Sequence, residues 1–119
     1  MLIKIIKKTI NYSDDFLKDN VIKHNAWMNP PFSKAKEMFV QFFYLCFEGV
    51  AIYRCDNMET QIWQKIILKN ANWIFIPNKR YNYVGMKGKG SRFPSALIGF
   101  NVDYPKNLEG TLLLIKVGV

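Results

Sequence analysis

The sequence predicts an α/β fold, a mixed sheet of about five to six strands with two main helices. Two patterns and one bound carry that expectation. Short apolar runs rich in Ile, Val, Phe and Trp alternate with longer stretches whose apolar residues recur at three-and-four spacing, and clusters of Asn, Asp, Pro and Gly separate the two kinds. The chain has 119 residues, half of them apolar and 15% aromatic, enough for one packed core and too little for a second.

In chain order, residues 2–10 read as an Ile-rich strand with lysines between, ended by the turn chemistry of Asn11-Tyr12-Ser13-Asp14-Asp15. A short helix or irregular stretch fills 15–23. Ala26-Trp27-Met28 is a brief strand that must stop at Asn29-Pro30-Pro31, because two prolines remove successive ladder donors. Ser33 is placed to cap a helix over 34–48, with Ala35, Met38, Phe39, Phe42, Leu45 and Cys46 on one face and Gly49 as its end. Val50 to Tyr53 is a second strand. Asp56 and Glu59 have capping-box spacing ahead of a helix over 57–70, whose stripe is Met58, Ile62, Trp63 and Ile66 and whose break is Asn70 to Asn72. Trp73 to Ile76 is a third strand, closed by Pro77-Asn78. Ser95 to Phe100 and Thr111 to Val117 are two more, close enough in sequence to form an antiparallel pair. Strand, helix, strand, helix, strand is the rhythm of a doubly wound sheet, in which ligands sit beyond the carboxyl ends of the strands. Asn29 and Arg54 are both expected to emerge there.

Seventeen Lys and Arg against nine Asp and Glu leave a net charge of +8, which makes polyanions the natural partners, although a biased composition gives the same number and charge alone does not name DNA. Residues 78–93 hold Lys79, Arg80, Lys87, Lys89 and Arg92 with three glycines and no acid, a basic loop. Cys46 and Cys55 sit in no CxxC or Cys/His cluster, and His24 is the sole histidine, so disulfide scaffolds and two-histidine metal sites are disfavoured. His24 is expected at the surface. No run approaches the length of about 18 apolar residues that a membrane helix needs. The first eight residues intersperse charges with apolar side chains, unlike a secretory leader. Cytoplasm, or the interior of a host cell for a virus- or phage-encoded protein, is the expected location.

Asn29-Pro30-Pro31-Phe32 directly after an apolar strand is the pattern of enzymes that methylate exocyclic amines of adenine. The amine lone pair is delocalised into the ring and is a poor nucleophile. Two acceptors, the Asn29 side-chain oxygen and the Pro30 carbonyl, can each take one amine hydrogen and favour a pyramidal nitrogen whose lone pair points outward. The prolines hold the backbone, and Phe32 offers a face for an extruded base, worth about 1–3 kcal/mol of stacking. Asn and Pro also favour plain turns. The strand before, the helix after and the basic loop favour the chemical reading.

From Ala26 to Phe100, roughly two-thirds of the chain, the sequence resembles the phage-type DNA adenine-N6 methyltransferase family. The matching segments are Asn29 to Ser33, Tyr53-Arg54 at a strand end, Thr60 with Trp63, Lys79-Arg80, and Phe93-Pro94-Ser95-Ala96 opening a late strand. The resemblance implies a methyltransferase-like, Rossmann-like fold and S-adenosylmethionine as methyl donor. It also implies a catalytic segment of Asn29, Pro30, Pro31 and Phe32, and DNA contacts from Arg54, Lys79, Arg80, Lys87, Lys89 and Arg92. The departure lies upstream. The 28 residues before Asn29 are too few for the strands and the glycine- or acid-bearing turn that hold the cofactor in the family, so the match is to a carboxy-terminal catalytic part and the cofactor site is unknown. Gly85 to Gly90 does not replace it, since that segment neither follows directly on a strand nor opens a helix.

Asp14 and Asp15 read as solvated turn residues, and Trp27 and Trp63 as core or pocket wall. Two helices cover only part of such a sheet, which would leave aromatics such as Trp73 and Phe75 exposed and calls for a homodimer or a partner supplying a cofactor domain. The alternatives to an enzyme are a non-catalytic nucleic-acid-binding module of the same fold and an assembly protein using exposed aromatics.

Overall fold

The computed structural model describes residues 16–78, 93–106 and 110–113. The expected strand over 2–10, the Asp14-Asp15 pair, the five cations between 79 and 92, the glycines at 85, 88 and 90, and residues 114–117 of the last strand lie outside the described residues. What is described is an α/β domain with a mixed sheet. After a 3₁₀ turn at Phe16–Lys18 come β1 (Ala26–Met28), a second 3₁₀ turn (Phe32–Lys34), α1 (Ala35–Leu45) and β2 (Gly49–Arg54). A π-helical turn (Ile62–Ile67) then runs into α2 (Leu68–Asn70), followed by β3 (Trp73–Pro77), β4 (Ser95–Phe100) and β5 (Gly110–Leu113).

The sheet order is β1-β2-β4-β3-β5. β1 and β2 are parallel, with Ala26 opposite Gly49 and Met28 opposite Ala51. β4 runs antiparallel to both β2 and β3, so β2 and β3 point the same way with β4 between them. The expected antiparallel pair of the last two strands is therefore not formed: β3 separates them and pairs with each. The reason lies in β4 itself. Ala96, Leu97 and Ile98 are all fully buried, so both faces of this strand are covered, as befits an interior position with a neighbour on either side.

Both helical segments lie on one face of the sheet. Phe39 and Phe42 of α1 and Trp63 and Ile67 of the π-helical turn pack on Ala51, Tyr53, Ile74, Ala96 and Ile98. The two-sided winding expected from the sequence is not what these helices do, because the successive crossovers β1-α1-β2 and β2-α2-β3 progress in one direction across the sheet. The opposite face carries a second cluster of Val50, Ile52, Trp73, Phe75 and Leu97, with Trp27 and Val102 packed against it. Trp73 and Phe75 are each only 2% exposed, which overturns the expectation that they are left over as bare surface.

Gly99 explains how Trp73 is accommodated. A Cβ built on Gly99 would fall inside the Trp73 indole, whose Nε1–H donates to the Val102 carbonyl at 2.7 Å. Gly99→Ala is expected to destabilise the fold by about 1–3 kcal/mol through overpacking. A denaturant titration that shows no change in midpoint would refute this packing.

Three local expectations need correction. Ser33 lies inside the 3₁₀ turn, and no side chain caps α1. Gly49 does not end α1, which stops at Leu45; it opens β2, where a Cβ would come within 2.7 Å of the Ala26 carbonyl. The second helix begins later than residue 57, since 56–59 form a turn in which Thr60 Oγ1 donates to the Asn57 carbonyl and the Asp56 carboxylate is held by Arg54 instead of capping.

Candidate functional site

The parallel direction of β1, β2 and β3 brings their carboxyl ends to one edge of the sheet, and the antiparallel direction of β4 and β5 brings their amino ends to the same edge. Five chain segments emerge there: Asn29 after β1, Cys55 after β2, Asn78 after β3, Phe93-Pro94 before β4 and Gly110 at the start of β5. Register places them closely. Arg54 lies opposite Ser95, and one step further the Cys55 N–H donates to the Pro94 carbonyl at 2.9 Å.

β1 ends opposite Ala51, three residues short of the end of β2, so the Asn29–Phe32 segment turns alongside the last residues of β2. Asn29 is exposed and Pro30 buried. Pro31 is extended (φ −65°, ψ 143°), and its carbonyl accepts from the Lys34 N–H at 3.1 Å, closing the 3₁₀ turn. Two consecutive prolines remove two backbone donors at this point, which is why the chain leaves the sheet here. Phe32 is 49% exposed and meets the Phe93 ring edge-to-face at 5.0 Å and the Tyr53 ring at 6.0 Å.

Arg54 completes the cluster. Its guanidinium carbon lies 4.6 Å from the centre of the Phe93 ring and 5.3 Å from that of Phe32. Its Nε and Nη2 each donate to one oxygen of the Asp56 carboxylate at 2.7 Å, the bidentate fork that planar guanidinium favours. Beneath it, the Trp63 indole N–H donates to the Arg54 carbonyl at 3.0 Å, and Trp63 is wholly buried next to Tyr53, which in turn meets Phe39 at 5.3 Å. Trp63 is thus core, fastening the end of β2 from below.

Burial raises the Tyr53 phenol above its ordinary range, so it stays neutral. Burial, reinforced by the Asp56 charge, also raises the Cys55 thiol, and burial pushes Cys46 up to about 11. Neither cysteine is a thiolate at neutral pH, which removes cysteine nucleophile chemistry from this edge. Among the described residues, no three His, Cys, Asp or Glu side chains gather as a metal site, and no helix is long and apolar enough to cross a membrane. His24 is exposed near the other end of β2, its Nδ1 3.2 Å from Glu48.

The structure therefore brings Asn29, Pro30, Pro31 and Phe32 together with Arg54; Lys79, Arg80, Lys87, Lys89 and Arg92 lie outside the described residues. Sequence reading missed Phe93 and Asp56 as members of the cluster. The signal for Asp56 was its i, i+2 spacing from an arginine at a strand end, which returns both side chains to one side of the chain. Tested against S-adenosylmethionine, the described residues do not fit. The Asp56 carboxylate is held by Arg54, and Gly110, the glycine at this edge, opens a strand and not a turn into a helix. Comparison of the chain with protein-family models, with characterised proteins and with solved structures finds no match.

Proposed function

We propose that the carboxyl edge of the sheet binds DNA and presents the exocyclic amine of adenine to Asn29 and Pro30, as the adenine-recognising part of a methyltransferase-like, Rossmann-like protein. The observation that carries this reading is the position of Asn29-Pro30-Pro31-Phe32, at the end of a parallel strand and beside Arg54 and Phe93. An exposed Asn side chain and a backbone fixed by two prolines suit the two acceptors that an amine needs. The half-exposed Phe32 ring offers apolar surface for a base, while Arg54 lies over part of it. β1-α1-β2-α2-β3, with its strands in one direction, is the frame that such a site requires.

The misfit of the described residues to S-adenosylmethionine favours a second reading, a nucleic-acid-binding module of the same fold without catalysis. Calorimetric titration of the chain with S-adenosylmethionine separates the two: saturable binding supports a methyltransferase, and its absence supports the module or a donor site on a partner chain.

Both readings require DNA binding. The chain leaves this edge at Asn78 and returns to it at Phe93, and the sequence between holds five cations and no acid. Binding is expected to weaken steeply with salt through counterion release, and a Lys87→Ala, Lys89→Ala, Arg92→Ala protein should have a slope shallower by about 2.7 on duplex DNA, or about 0.9 per lost phosphate contact. A triple variant with the wild-type slope would take these cations out of the interface. A wild type with no affinity for single- or double-stranded DNA would overturn the DNA reading as a whole.

A further inference from the structure

We infer that Arg54, held between Phe32, Phe93 and Asp56, is an oxyanion site built for a nucleic-acid phosphate, with the Asp56 carboxylate as its resident occupant. The inference rests on the reading of the carboxyl edge as a DNA site and adds what occupies that site in the absence of DNA.

Two aromatic rings fix the guanidinium plane, at 4.6 and 5.3 Å, so its orientation does not depend on the carboxylate. The fork presented by Nε and Nη2 matches two oxygens of a phosphate as well as two of a carboxylate. Asp56 is two residues away on the turn after β2, and both side chains remain about a third exposed, at 31% and 35%. An ion pair so open to solvent is weak, and an incoming polyanion competes with it at small cost. Asp56 released from Arg54 passes into water, whereas the guanidinium stays on its rings. The carboxylate thus screens the cation until a phosphate takes its place, and sequence-independent affinity is held down at the spot nearest Asn29.

The test is equilibrium binding of a labelled, adenine-containing single-stranded oligonucleotide over a range of salt concentrations. It compares the wild type with Asp56→Asn, Arg54→Ala, the double variant and Glu59→Gln. Glu59 lies in the same turn and is exposed, so its neutralisation reads the general effect of removing one negative charge. Asp56→Asn is expected to bind about fivefold tighter than wild type, about 1 kcal/mol at 1.4 kcal/mol per decade. Its salt slope should steepen by about 0.7, one additional phosphate contact on a single strand. With Arg54 replaced by Ala, the same change at Asp56 should give no more than Glu59→Gln gives. Thermal melts establish that each variant is folded, and Asp56→Ser replaces Asp56→Asn should the latter not fold. If Asp56→Asn binds no tighter than Glu59→Gln, or if its gain persists without Arg54, the inference fails while the DNA reading stands. If no variant binds at all, both fall.

Discussion

Trp63→Ala is expected to cost about 3–5 kcal/mol of stability, the range for truncating a buried aromatic. At roughly 4 °C per kcal/mol for a domain near this size, that is a fall in Tm of about 12–20 °C. Trp63 is 0% exposed, packs with Tyr53 and the helix-side cluster, and ties its indole N–H to the Arg54 carbonyl. The cavity would therefore open directly under the candidate site, and the end of β2 would lose its anchor together with its packing. Trp63→Phe keeps most of the volume and drops the donor, so it should lose only about 1 kcal/mol, the net worth of one hydrogen bond. A calorimetric or denaturant measurement in which Trp63→Ala loses less than 1 kcal/mol would show that the core closes without it.

Asn29→Ala carries the second large effect, this time on function. Any methylation of adenine in DNA by this chain, alone or with a partner, should fall by about 10²–10³, the loss seen when one preorganised polar group is removed from an active site. The same substitution should move stability by no more than about 0.5 kcal/mol, because Asn29 is exposed and follows the last paired residue of β1. Transfer of a radiolabelled methyl group to oligonucleotides, read beside a melting curve, separates the two quantities. A folded Asn29→Ala protein that retains the wild-type rate would exclude Asn29 from the reaction.

Much of the local structure was legible because periodicity is a local signal. Phe39, Phe42 and Leu45 repeat at helical spacing and are all buried, and the three-residue strand before the prolines ends where loss of donors ends it. Strand order was not legible from neighbours in sequence. Proximity suggested pairing β4 with β5, but Ala96, Leu97 and Ile98 form an unbroken apolar run that needs cover on both faces, and that non-local demand places β4 inside the sheet. The same blindness affected Asp56. Its spacing to Glu59 suited a helix cap, yet an arginine two residues away offered a charged fork, and the ionic partner won. Phe93 entered through a quoted segment but gained its place only from the register that sets Arg54 opposite Ser95. Within the candidate site, then, sequence named the residues contributed by single segments, and pairing across the sheet supplied the rest.

β1 is only three residues long and lies at one end of the described strand order, paired along one side to β2. Arg54 and Phe93 belong instead to the strongly paired interior, where β2 and β4 match over six residues. The acceptor group on Asn29 and the aromatic ring of Phe32 thus hang from an element with few ladder bonds, while their companions are fixed to the centre. In the language of cooperative units, the site straddles a boundary: detaching β1 needs far less free energy than global unfolding and would carry Asn29 away from an otherwise intact guanidinium and ring. Geometry at the amine acceptors is accordingly set less by the core than by the Phe32–Phe93 and Phe32–Tyr53 ring contacts, which act as the latch holding a loosely tethered strand end against a rigid sheet.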